Sequence, residues 1–243
     1  MPFLYELPAD MGDFEKGTII LAATSIYGEG VTDSTITLYS SNDAGKSFNA
    51  FCNVDRAGGI EWGVWEPYLI YEEETGRLFC FYSDDSDPEH SQKLVYKYTT
   101  DLVNWSETRA VTVSRPDAGC TWAPEVIYDK DQDNYMVFWA SRTDYGKGHH
   151  KIFQSRTKDF KTFTPCEVYI ERDCDVIDTD IVEHNGVYYR FSKDETSKCI
   201  LMAKCDRLDG QFEIENLDIT LAFRGSTNQR IWRKNSKGEW NVM

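Results

Sequence analysis

The chain has 243 residues, a formal net charge of −15 and 14% aromatic side chains. So acidic a surface repels phosphate backbones and anionic lipid, which excludes nucleic acid and membrane as main partners and leaves a neutral ligand such as a sugar as the better fit. No stretch is long and apolar enough to span a bilayer, and the opening MPFLYELPADMG lacks the basic-then-apolar order of a signal peptide, so a cytoplasmic location is expected if the chain is complete.

Short apolar runs cut by Gly, Asn, Asp and Ser predict strands joined by turns, in one domain. From the N-terminus, PFLYEL, GTIILAATSIYG and STITLYSSND read as three strands, and SNDAGKSFNAF as the corner that follows. A second unit opens with VWEPYLIY (64–71), continues through an acidic run, Glu72 to Glu74, read as a solvated connection, and returns in RLFCFYSDD. After a loop carrying His90 come KLVYKYTT, the corner TTDLVNW and a short RAVTV. Arg115 and Asp117 precede a third unit, TWAPEVIY (121–128), NYMVFWASR, HKIFQSRT, TKDFKTF and CEVYI; His149 and His150 follow DYGKG and are expected at a solvated hairpin tip. VIDTDIVEHNGVYYRFSKDE (176–195) supplies two strands of a fourth unit, with His184 in their turn, and LDGQF marks its corner. QRIWRKNSKGEWNVM matches only the opening hairpin of another.

The second and third units repeat at a step of 57 that pairs Trp65 with Trp122, Pro67 with Pro124, Ile70 with Ile127, Tyr71 with Tyr128 and Phe81 with Phe138. Four strands repeated over roughly 40 to 60 residues predict a β-propeller, whose blades bury their faces only against neighbours. The expected fold is all-β: a five-bladed propeller of four full blades (about 1–61, 62–119, 120–172 and 173–222) and a partial fifth (223–243). The partial blade leaves either a monomer or association through an incomplete edge. Seven cysteines, odd in number and without a C-x-x-C pair, indicate neither a disulfide framework nor a zinc site and are expected reduced.

First strands line a propeller's channel, so residues on successive first strands converge at one mouth. Read in order, these positions give Glu66, Glu125, Asp178 and Asp180, with Trp65 and Trp122 beside them. Facing carboxyls whose pKa values are pushed apart, walled by indoles that suit the apolar faces of sugar rings, are what glycoside hydrolysis requires. The structural alternative for Glu66 and Glu125 is a carboxylate that caps backbone amides at a strand start.

Ser41 to Phe48 resembles the Asp box of sialidase-type propellers, a turn that marks a fold and carries no chemistry. Residues 115–212 resemble glycoside hydrolase family 43, on RPDAGCTWAPEVIYDKDQDNYMVFWASR, TKDFKTF and VIDTDIVEHNGVYYRFSKDE; residues 17–113 resemble the family 93 exo-arabinanases, on SNDAGKSF, GVWEPYLIYEEE and FYSDDSDPEHSQKLVYKYTTDLVNW. The family 43 likeness implies an inverting enzyme, with Asp178 where the Asp that tunes the general acid stands and Glu66 at the base position. Its general acid would open the last half-unit, where FRGSTNQRIW (223–232) holds no carboxylate. The family 93 likeness implies retention, with Glu66 as nucleophile; its acid/base position reads Phe138-Trp139-Ala140, and Glu125 is the nearest substitute. The family 93 likeness implies that His90 lines the substrate cleft. By position, Arg115 and Asp117 are read either as gripping sugar hydroxyls or as an interblade salt bridge, Asp180 as a substrate contact, and Trp65 and Trp122 as the wall. A structural calcium occurs in family 43 relatives, but no ligand set here predicts one, and no cofactor is expected.

These readings converge on a glycoside hydrolase of arabinose-containing glycans or related furanosides and galactosides, using Glu66, Asp178 and Glu125. The alternatives are a propeller that binds carbohydrate without cleaving it and, given a seam near 114–121 between the two likenesses, a chimera without selected activity.

Overall fold

The computed structural model of the chain describes residues 2–26, 34–57, 63–85, 92–111, 120–142, 148–215, 232–234 and 240–242. Among these residues there is no helix. The strands form four antiparallel four-stranded sheets, each in chain order. Blade 1 holds β1 (Phe3–Glu6), β2 (Ile19–Ile26), β3 (Ser34–Ser41) and β4 (Asn49–Arg56). Blade 2 holds β5 (Val64–Glu72), β6 (Arg77–Asp84), β7 (Lys93–Thr99) and β8 (Arg109–Ala110). Blade 3 holds β9 (Trp122–Asp129), β10 (Asn134–Ser141), β11 (Lys151–Thr157) and β12 (Glu167–Ile170). Blade 4 holds β13 (Val176–His184), β14 (Val187–Asp194), β15 (Cys199–Cys205) and β16 (Glu213–Glu215).

The near-continuous apolar runs of β6 and β10 are explained by burial on both faces. Leu78, Cys80 and Tyr82 pack with Ile20, Ile36 and Leu38 of blade 1. Phe79 and Phe81, on the opposite face of β6, pack with Val126, Val137 and Trp139 of blade 3. In β10 the alternation repeats: Met136, Phe138 and Ala140 turn to Val176, Ile181 and Tyr188 of blade 4. Each core therefore lies between two consecutive blades, the packing of a propeller, and every blade leans on its neighbours for stability. In β14 only Tyr188 and Ser192 are buried, and Val182 and Ile200 remain 37% and 43% exposed. Among the described residues, blade 4 thus has one covered face where blades 2 and 3 have two.

Four blades are complete, not five. The expected partial fifth is represented among the described residues by a separate two-stranded sheet, β17 (Trp232–Lys234) with β18 (Trp240–Val242).

The corners predicted after the third strands of blades 1, 2 and 3 share one device; at the fourth, Asp209 accepts from the Arg207 guanidinium instead. Asp43, Asp101 and Asp159 accept backbone amides two to four residues ahead and a hydroxyl from the end of the preceding strand. Leu102 and Phe160 sit at positive φ, 67° and 52°, with their side chains buried beneath the turn. The acidic run after β5 is not wholly solvated: Glu72 is buried and accepts from the Thr75 hydroxyl.

Candidate active site in the propeller mouth

The first strands of blades 2, 3 and 4 break register at the same place. Pairing shifts between Trp65 and Tyr68, between Trp122 and Glu125, and between Ile177 and Asp180. The residue inserted in each bulge has a left-handed backbone: Glu66 at φ 57°, Ala123 at 48° and Asp178 at 52°. Each such non-glycine conformation costs roughly 1 to 3 kcal/mol, and bulges of this kind re-aim a side chain. Two residues on, Tyr68, Glu125 and Asp180 each stand opposite a phenylalanine of the second strand, Phe81, Phe138 and Phe191. The structure therefore corrects the expectation that Glu66 and Glu125 are equivalent. They belong to different layers, Glu66 with Ala123 and Asp178, and Glu125 with Tyr68 and Asp180.

In the first layer the Glu66 carboxylate accepts the Ala123 amide of the next blade at 2.6 Å. Burial raises its pKa, while that amide and the charge of Lys193 oppose the rise. Asp178, two blades from Glu66, has its pKa pushed up to about 6 by burial and by the charge of Glu66. Lys193 stands between acids, with Nζ 4.0 Å from Asp178 Oδ2 and 2.6 Å from Glu195 Oε2. Two enclosed carboxyls that oppose each other's ionisation tend to share one proton.

The raised Asp178 value carries a stability consequence. A carboxyl whose folded pKa lies above its unfolded value favours the folded state when protonated, so its contribution is lost as pH rises from the ordinary 3.8 towards about 6. Asp178→Asn is expected to raise stability at pH 7 by about 1 to 3 kcal/mol, with the gain disappearing below pH ~4. Urea midpoints at pH 4 and pH 7 measure it.

In the second layer Glu125 is only 2% exposed, and its Oε1 accepts the Ile181 amide of blade 4 at 2.5 Å. Its Oε2 is buried and has no hydrogen-bond partner. Burial, then the charge of Asp180, hold its pKa well above the ordinary carboxylate range. Tyr68 takes the Val126 amide in the same way one blade earlier. Asp180 carries exposed surface, yet enough protein surrounds it for burial to raise its pKa. Glu66 and Glu125 both cap amides, as the structural alternative expected, but the amides belong to the next blade.

Around this mouth Trp65 donates its indole N–H to Asp85 at 2.9 Å, and Trp122 donates to Gln92. A side chain at Gly63 would overlap the Trp65 ring, so only glycine lets that indole lie against the backbone. His149 is solvated, but His150 is not: it is 4% exposed and stacks on Trp122 at 4.8 Å. The loop's polar composition predicts solvation, but the neighbours that bury His150, Trp122 and Asp175, lie 28 and 25 residues away in the sequence. His90, Arg115 and Asp117 lie outside the described residues, as does 223–231. Lys193, Asp85, Gln92 and Asp175 were missed. The step of 57 from Asp85 to Arg142 was the available signal for one pair of positions. Among the described residues no three His, Cys, Asp or Glu side chains are grouped to hold a metal.

The chain is an all-β propeller with enclosed carboxyls at the bulged first strands of blades 2 and 4. Residues 63–243 match the family described as "Probable glycosyl hydrolase domain", related to glycoside hydrolase family 43, and the chain belongs to that family. An α-L-arabinofuranosidase of Bifidobacterium longum subsp. longum is 34% identical over 124 residues, which is 43% of this chain but 12% of that protein. An α-L-arabinanase of Penicillium chrysogenum, solved with arabinobiose, superposes with a TM-score of 0.71 at 22% identity, covering 88% of this chain and 64% of its own. The family 93 α-L-arabinofuranosidase of Fusarium graminearum, also solved with arabinobiose, gives 0.64 at 23% identity over 85% and 65%. A xylan β-1,4-xylosidase of Bacillus halodurans C-125 gives 0.65 at 16% identity over 99% and 47%. These likenesses establish the propeller fold; the chain spans less than two thirds of each of these proteins.

Proposed function

We propose that the chain hydrolyses arabinose-containing glycans through the Glu66 and Asp178 carboxyls. The observation that carries this reading is that bulges on blades 2 and 4 aim two enclosed acids at each other's field, so that burial and then the Glu66 charge raise Asp178 to about 6. The Ala123 amide holds Glu66 as the ionised member, the base or nucleophile. Asp178 retains the shared proton and gives it to the leaving oxygen, while Glu66 takes a proton from water or attacks the anomeric carbon. Trp65 and Trp122 offer apolar walls to the sugar, with Asp180 deeper in the same channel. Glu125, sealed against Ile181, acts by fixing blade 3 against blade 4. Arabinose as the sugar is supported by the arabinofuranosidase relative and by two structural neighbours solved with arabinobiose.

The purified chain is expected to release arabinose from arabino-oligosaccharides and from 4-nitrophenyl α-L-arabinofuranoside. Binding seen by calorimetry without release supports the second reading, a propeller that holds carbohydrate and leaves it intact. That reading is favoured by one observation, the lack of a carboxylate in 223–232, where family 43 places its acid. Neither release nor binding removes both.

A further inference from the structure

The repeat places one residue directly after the second strand of three successive blades: Asp85, Arg142 and Glu195. The first is occupied by the Trp65 indole and the third by Lys193 and Lys198. The middle one is a cation in an acid-lined mouth. Its Nε lies 3.0 Å from His150 Nδ1, and its Nη2 lies 3.6 Å from Asp175 Oδ1, beyond hydrogen-bond reach. Asp175 does not need that contact, because the same oxygen takes the His150 amide at 2.7 Å and lies 2.9 Å from Nδ1. The Nδ1 atom can donate to Asp175 or accept from Arg142, not both at once. An incoming hydroxyl can therefore engage Arg142 without breaking the tie between His150 and Asp175. The Arg142 side chain is 36% exposed, and its Nη1 is unengaged among the described residues. Behind it, His150 lies flat on Trp122 at 4.8 Å and 29°, which sets the guanidinium beside a half-exposed indole.

We infer that Arg142 is a substrate-contacting residue, presenting its guanidinium N–H groups to adjacent hydroxyls of a neutral sugar whose apolar face rests on Trp122. His150 and Asp175 are positioning residues that hold the pair together. The inference rests on the proposed glycosidase reading and names a contact at that same mouth.

The test compares Arg142→Met and Arg142→Lys with the parent, using arabinobiose calorimetry in a Glu66→Gln background, so that ligand is not consumed, and steady-state kinetics with Glu66 intact. Loss of charge-assisted hydrogen bonds predicts roughly 10- to 100-fold weaker binding for Arg142→Met, a matching rise in KM and a smaller fall in kcat. Arg142→Lys is expected to recover little, since an ammonium lacks the planar fork; it also carries the comparison if Arg142→Met fails to fold. A purely structural tie would lower the melting temperature and leave affinity alone. Unchanged affinity and KM in folded variants overturn the inference while the glycosidase reading stands. A parent that neither binds nor cleaves overturns both.

Discussion

Glu66→Gln and Asp178→Asn are each expected to slow arabinoside hydrolysis by roughly 10²- to 10⁴-fold while the four blades stay folded. The folding part follows from shape. A glutamine at 66 keeps an oxygen that can accept the Ala123 amide, and an asparagine at 178 removes a charge whose ionisation the fold already opposes. The catalytic part follows from the sharing of one proton. Without a charge at 66 no base or nucleophile remains in the first layer; without a titratable group at 178 the leaving oxygen has no donor there. Because the two act as a unit, the double variant is expected to be little slower than either single one. The intact protein is expected to lose activity above about pH 6, as Asp178 gives up its proton, and Asp178→Asn to lose that limb. Initial rates on the nitrophenyl substrate between pH 4 and pH 8, beside circular dichroism of each variant, measure all of this. Full activity in either folded single variant would falsify the assignment.

What the sequence made legible was the repeat, and through it the blades. Propeller blades bury both faces against near-copies of themselves, so the second strands must repeat in kind: RLFCFYSDD and NYMVFWASR are visibly one strand written twice. The bulge was not legible. It adds a residue before the paired run in all three blades, after Trp65, Trp122 and Ile177, and the residues that share it, Glu66, Ala123 and Asp178, have no side chain in common. Reading carboxylates by type rather than by register therefore placed Glu125 beside Glu66, although it stands two residues deeper, opposite Phe138. His150 was misplaced for a related reason, since its burial comes from an indole and a carboxylate brought in from neighbouring strands. The fifth blade was over-read: one hairpin's worth of pattern shows two short strands.

Glu125→Ala is expected to cost about 2 to 4 kcal/mol of stability, and Glu125→Gln much less. Alanine leaves the buried Ile181 amide without its acceptor and opens a cavity among Phe138, Ile181 and their neighbours. Glutamine keeps the acceptor and puts an N–H₂ group where Oε2 already has no partner. The pH dependence separates the two states of the native side chain. With its folded pKa held well above 4.5, Glu125 contributes stability while protonated, and that contribution declines as pH climbs from the unfolded value through the folded one. Glu125→Gln has no proton to lose there, so it is expected to gain on the parent as pH rises. Urea midpoints at pH 5 and pH 8 give both differences. Exchange of the Ile181 amide locates them: slow in the parent and in Glu125→Gln, faster in Glu125→Ala as blade 4 loosens from blade 3. An alanine variant with an unchanged midpoint would mean that apolar packing alone seals that interface. The repeated forward reach of Tyr68 to Val126 and of Glu125 to Ile181 would then be incidental to how consecutive blades hold together.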